Sequence, residues 1–387
     1  MEVRNLMRTL FVLMIVHLLL ACSRDVTQSG AFPALSPKTF NHLMVTTSNY
    51  RDNLGELVSV SLTETSAKSQ IRKGSLPLTS DSWFRIFSGN PNVFVLNRFS
   101  SNIQIFRKDT LAKVSEQRSL SAEAEFQLPP NPQDVVIDAL GFVLVSGLNL
   151  SKLIRLTPEV DSVVQRWDLS RYADPIDKLP ECAHMDWVNG KLWIAMQRLN
   201  RGVDRKSLNW LPTDHSSVVV FDPADGSQTE IKLAGINPVS PFRLVGNYVY
   251  FADRGGNAEN TGGGIERIDS RTLIPTMVMS EAELKGKPAD LVVSGDTAWV
   301  ILEKKDFGTK LVQIDLVTKT IGDPIMDTDS TSFIKGLAYD SERKFLFFGD
   351  RFISDPGIRV WNTVSETFEF KDPIRVGFPP EAFELME

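Results

Sequence analysis

A unit of about 40 to 50 residues recurs along most of this chain, and no other feature constrains its fold as strongly. Each copy opens with a short apolar strand, such as Asp134-Val135-Val136-Ile137 or Asp290-Leu291-Val292-Val293. A turn of Gly, Asn or Asp leads to a second strand, as at Phe142 to Ser146, Leu192 to Gln197 or Tyr248 to Ala252. A polar loop and a third strand follow, as at Ile103 to Phe106 or Val218 to Phe221, and a more polar fourth strand closes the unit. Short β-rich runs bounded by turn residues are strand signals, and no segment past residue 40 shows a convincing helical period.

Complete units span 81–128, 130–169, 183–233, 241–280, 288–326 and 332–376. Ahead of them, residues 43–74 supply only three strands. The missing inner strand lies at the other end of the chain, where Pro380-Glu381-Ala382-Phe383-Glu384-Leu385 matches the pattern of Pro132-Gln133-Asp134-Val135-Val136-Ile137. Joining the two ends closes the array into a ring and removes the long unpaired edge that an open sheet would expose. Six complete units and one shared unit make seven. The expected fold is therefore all-β: a seven-bladed β-propeller of four-stranded blades, closed by the C-terminal strand joining the N-terminal blade, as a single domain over 41–387.

Several units, notably Val93-Phe94-Val95-Leu96-Asn97 continuing to Asn102-Ile103-Gln104-Ile105-Phe106, resemble YVTN-type repeats. The resemblance implies a seven-bladed propeller related to lactonase-like and quinoprotein-like folds. It spans nearly the whole chain after the leader, but its motifs specify the blade and no chemistry. Trp167-Asp168 occurs once and without a Gly-His partner, so it is no WD repeat.

The first 21 residues have a different character. Arg4 and Arg8 precede an apolar run from Leu10 to Ala21. Its roughly 12 residues fall short of the 20 or so that cross a bilayer and suit the hydrophobic core of a secretory signal peptide. Leu19-Leu20-Ala21-Cys22 resembles the bacterial lipobox, which implies lipidation of Cys22 as the mature N-terminus. Acyl chains gain about 0.8 kcal/mol per buried CH₂, so several of them hold firmly. Ser23 resembles the outer-membrane sorting preference, and residues up to 40 read as a flexible tether. The expected location is the bacterial cell envelope, lipid-anchored at the outer membrane.

A formal charge of −6 gives no electrostatic reason to bind nucleic acid. With one of the two cysteines in the leader, no disulfide framework is expected, and Cys182 reads as an unpaired, shielded thiol.

The functional candidates lie on one face. Just past the second strands stand Arg98, Arg198, Arg254, Lys304 and Arg351, with Arg51 in the first unit. In a propeller these loops open around the central channel, so the six cations would share a rim suited to carboxylate or phosphate. Asp134, Asp186 and Asp290 occupy equivalent positions at inner-strand starts on that face. Two readings follow: a ligand-binding rim, or Arg–Asp pairs that neutralise the rim and fix the blades. Asp109, Asp222, Asp269, Asp315 and Asn362, at the ends of third strands, read as turn formers.

Long loops at 198–215 and 253–264 offer recognition surface, with Trp210 as a contact residue. The oxygen-rich residues 257–260 suggest calcium but lack the spacing of an EF-hand loop; no other cofactor is expected. His184 lies near Asp186, with no evident Ser or Cys nucleophile, and reads as structural. The function that asks least of the sequence is a binding or interaction scaffold for a protein, a polysaccharide or a small anion. The alternative, which the fold resemblance alone implies, is a lactonase-like or other hydrolytic enzyme with a site in the channel, where Asp134, Asp186, Asp290 and His184 are candidates that no motif fixes.

Overall fold

A computed structural model describes residues 40–62, 71–74, 76–207, 211–352 and 354–386. Cys22, the leader, the tether up to residue 39 and Trp210 lie outside the described residues.

The described strands form seven antiparallel sheets, each ordered from the channel outward along the chain. Six are continuous in sequence, over 82–119 (blade 2), 132–168 (blade 3), 182–232 (blade 4), 243–280 (blade 5), 287–327 (blade 6) and 334–368 (blade 7). Blade 1 is composite. His42–Asn49, Leu54–Ser61 and Ile71–Lys73 receive Pro380–Met386 as their innermost strand, with Leu43 opposite Leu385 and Val45 opposite Phe383. The chain thus forms a seven-bladed β-propeller closed by its last strand, as the repeat count requires.

Why the inner and second strands carry consecutive apolar residues is clear from the packing. Each sheet is covered on both faces by its neighbours, so both parities of a strand must be apolar. Val135 enters the core between blades 2 and 3, while the next residue, Val136, enters that between blades 3 and 4. Leu291 and Val292 divide in the same way between the cores on either side of blade 6. Seven such cores, one per blade interface, hold the ring together.

The turn reading of the third-strand ends holds for four residues. Asp222, Asp269, Asp315 and Asn362 each accept a backbone N–H two residues on. Asp109 instead stands 3.9 Å from Arg107 on an exposed edge. In blade 5 the inner strand is shorter than expected, only Arg243–Val245. Pro238 and Pro241 precede it, and proline cannot donate to a ladder.

Candidate site at the channel mouth

Six charged side chains meet on the axis, one from each of six innermost strands. They are Arg85 (Ser82–Ile86), Asp134 (Pro132–Ile137), Asp186 (Cys182–Val188), Arg243 (Arg243–Val245), Asp290 (Lys287–Ser294) and Glu384 (Pro380–Met386). Arg243 of blade 5 feels the charges of Arg85 in blade 2 and Glu384 in blade 1. Strands so far apart around a ring approach one another only at its axis.

Asp134 is fully buried and saturated with donors. Arg85 grips it with Nε at 2.9 Å and NH2 at 3.0 Å, Trp83 Nε1 donates at 3.0 Å, and the N–H groups of Val135 and Met185 donate at 2.8 Å. Burial alone would protonate the carboxyl, but Arg85 outweighs it and holds Asp134 well below the usual carboxylate range. The other three acids lack such a clamp. Burial lifts Asp290 to about 6 against the pull of Arg243, whose NH2 stands 4.0 Å away. Burial likewise lifts Glu384 to about 7 against Arg85, and raises Asp186.

Beyond this ring the channel widens into a cavity of about 490 Å³ to which all seven blades contribute. Trp83, Arg98, His184, Arg243, Asp290 and Lys335 are among its walls. Of the six expected rim cations, Arg98 and Arg254 reach this cavity. Arg98 NH1 lies 3.3 Å from Asp81 and NH2 is 3.4 Å from the Gln133 carbonyl, both long contacts, while its buried Nε has no acceptor. Arg254 pairs with Glu303 at 2.8 Å. Lys304 lines a neighbouring groove and pairs with Asp327 at 2.6 Å.

The remaining three stand elsewhere. Arg198 is buried against His215 (2.6 Å) and Asp214 (3.1 Å). Arg351 is buried against Glu381 (2.5 Å), the Pro380 carbonyl (2.7 Å) and Ser48 Oγ (3.0 Å). Arg51 is exposed in a turn of blade 1.

The expected pairing of rim arginines with Asp134, Asp186 and Asp290 therefore needs correcting. Those aspartates point to the axis, where Arg85 and Arg243 reach them, and the rim cations take carboxylates at their own level. Sequence reasoning missed Arg85, Arg243 and Glu384. The available signal was a charged residue at matching positions within short apolar strands, as in Trp83-Phe84-Arg85-Ile86 and Phe383-Glu384-Leu385.

His184 has Asp134 as its neighbour rather than Asp186. Its Nδ1 stands 3.5 Å from Asp134 Oδ2, Nε2 lies 3.1 Å from the Val239 carbonyl, and Trp83 packs edge-on at 4.8 Å. Burial keeps the imidazole below its ordinary pKa. Cys182 is buried, and burial pushes its thiol up. In the loop at 253–264, Asn257 faces Arg254 and Glu259 pairs with Lys305. Among the described residues no group of three or more His, Cys, Asp or Glu is placed to hold a metal ion. The described part of the loop at 198–215 is stitched down. Arg201 binds Glu181 at 3.0 Å and Asn149 at 2.9 Å, and Arg205 binds the Asp177 carbonyl at 2.7 Å.

No protein-family model matches the sequence, and no curated protein resembles it significantly. Solved structures do. A catalytically inactive virginiamycin B lyase from Staphylococcus aureus, with quinupristin, is similar over 81% of this chain and 93% of its own, at 13% identity and a TM-score of 0.54. A quinoprotein alcohol dehydrogenase-like protein from Bacteroides thetaiotaomicron covers 89% of this chain and 78% of its own, at 13% identity and a TM-score of 0.57. The likeness is one of fold. A functionally unknown protein from Desulfotomaculum acetoxidans shares it too, over 89% of this chain and 99% of its own, at 16% identity and a TM-score of 0.54. At such identities the propeller is common property, and its chemistry must be read from its own residues.

Proposed function

We propose that this propeller binds a small ligand bearing a carboxylate or phosphate in its channel mouth, at the cell envelope, where lipid on Cys22 holds it. The observation that carries the reading is Arg98. Its guanidinium faces a cavity of about 490 Å³ with two long contacts and an Nε lacking an acceptor. An under-satisfied buried donor is costly, and a ligand anion would relieve it. The Trp83 ring lies 5.7 Å from the guanidinium and offers an apolar wall beside it. A concave site with few convergent polar groups is the usual form of a small-molecule pocket.

Binding is favoured over hydrolysis by a covalent route because the mouth's hydroxyls are committed. Ser82 Oγ lies 2.8 Å from both the Thr79 carbonyl and Asn97 Oδ1, two acceptors that compete for its single proton. Thr309 Oγ1 accepts the Ile334 N–H at 2.7 Å. A nucleophile needs a base within reach, and neither hydroxyl has His184 as a partner.

The test is a thermal-shift screen with organic carboxylates and phosphate monoesters. A ligand at about 100 times its Kd adds roughly 2.7 kcal/mol of stability. At least one compound should raise the melting temperature of the wild type, have no effect on Arg98→Ala, and act partly on Arg98→Lys. A screen without a hit, or a shift that survives Arg98→Ala, removes the mouth from consideration. For the anchor, Cys22→Ser should move the protein from the membrane fraction to the soluble one; a wild type already soluble refutes it.

A further inference from the structure

Beside the channel mouth, between blades 5 and 6, runs a groove of about 1220 Å³. Three segments build it: the loop after the second strand of blade 5, the end of a one-turn helix α1 (Glu281–Leu284), and the hairpin around 303–310. Its walls carry Arg254, Lys285, Lys287, Lys304, Lys305 and Lys310 against Glu259, Glu281 and Glu303. Six cations less three carboxylates leave +3 in the lining, and Asp306 and Asp327, which pair with Lys304, bring the surroundings to +1, on a chain whose formal total is −6. Such a local reversal is a field that draws anions.

Lys304 is committed to Asp327 and Asp306, and two of the six cations stand outside any ion pair among the described residues. Glu303, Glu281 and Glu259 pair with Arg254, Lys287 and Lys305. Lys285 and Lys310 have no ion-pair partner among the described residues. Lys285 is exposed and held in the left-handed region, φ 55°, where it caps α1.

Two aromatic rings complete the groove. Phe307 is 87% exposed at the hairpin tip, with φ 65°, an unfavourable backbone for a bulky residue. Phe333, 39% exposed, forms wall shared with the channel mouth.

We infer that this groove binds an anionic oligosaccharide, with Phe307 and Phe333 against the faces of sugar rings and Lys285 and Lys310 on their acidic groups. Free lysines on two separate segments suit charges repeated along a chain better than a single phosphate. Exposed aromatic faces suit the C–H faces of sugars. An extended acidic peptide would want a strand edge for its backbone. Here Thr309–Asp315 is already paired on both sides, by Thr297–Glu303 and by Met326–Asp327. The proposal goes beyond the channel-mouth reading and has its own probe and variants, so either can fail alone.

The test measures binding of a labelled galacturonate decamer by anisotropy at low and high salt, beside a neutral maltodecaose and decaglutamate. The galacturonate should bind, weaken with salt, and lose about tenfold or more in affinity with the double charge reversal Lys285→Glu/Lys310→Glu. Phe307→Ala should weaken it without unfolding the protein, and the remote, exposed Lys232→Glu should leave it unchanged. No binding of galacturonate, or binding that survives the double reversal, overturns the proposal. Equal binding of maltodecaose overturns the role of charge. Decaglutamate binding as tightly, with Phe307→Ala silent, reassigns the groove to acidic peptides and overturns the sugar.

Discussion

Asp134→Ala should cost about 3–5 kcal/mol of stability, the range for breaking a buried ion pair by removing one partner. The substitution strands Arg85, which grips this carboxylate through two nitrogens, together with Trp83 Nε1 and the Met185 N–H. Three blades lose a common fastening, since Arg85 and Trp83 belong to blade 2, Asp134 to blade 3 and Met185 to blade 4. The measurement is urea denaturation of wild type and variant. Should Asp134→Ala fail to fold, the double variant Arg85→Met/Asp134→Leu decides, because replacing both charges is far milder than orphaning one. A loss under about 1 kcal/mol in the single variant would mean that the axial ring does not hold the blades.

The second expectation concerns pH. Asp134, depressed by Arg85, contributes stability that is present above the ordinary carboxylate range and lost below about pH 4. Glu381, buried but lowered by Lys335 and Arg351, acts with it, while five other buried acids act in the opposite direction, Asp186 among them. Asp290 titrates at about 6 and Glu384 at about 7. Asp253 and Glu181 are raised well above the ordinary carboxylate range, each by burial first and by a neighbouring carboxylate second, Glu266 and Asp177 respectively. Asp253 is fully buried with no donor to either oxygen and has Glu266 beside it, so its surroundings favour the protonated form.

In each of these five the folded state holds a proton that the unfolded chain releases near pH 4. Stability therefore falls as pH rises from about 4 through 7. Each group takes away roughly 1.4 kcal/mol per pH unit over the range in which only the folded state keeps its proton. His184 and His42, both lowered by burial, work the other way below about 6.5. With five acids against two histidines, denaturation midpoints should be higher at pH 5 than at pH 8, and Asp253→Asn and Glu384→Gln should narrow the gap. A profile that is flat or rises from 5 to 8 refutes this account of the axis.

Much of the architecture could be read from the order of residues alone. Burial on both faces writes apolar runs such as Val93-Phe94-Val95-Leu96 into every second strand, and those runs mark the blades. Pro380 to Leu385 betrays the closure because it repeats an inner-strand pattern out of order. The site was legible only in position. That Arg98 and Arg254 stand at the channel mouth follows from their place after second strands. That Arg351 turns inward to Glu381 depends on side-chain reach, which no spacing encodes. Arg85, Arg243 and Glu384 escaped notice for a related reason. One charged residue inside a three- to seven-residue apolar strand looks like noise until strands from distant blades are brought to one axis.

The composite first blade has a bearing on the order in which the molecule can form. His42–Asn49 leaves the ribosome early, yet its inner edge is covered only by Pro380–Met386, and the contact of Tyr50 with Glu381 spans 331 residues. Until that strand is made, the edge has no partner from its own chain, and six blades stand in an arc. Bringing the two ends together costs only about 5 kcal/mol in chain entropy, because the cost grows with the logarithm of loop length. During synthesis the ring therefore cannot close before Pro380–Met386 is made, and a chain cut before Pro380 would lack the strand that closes it.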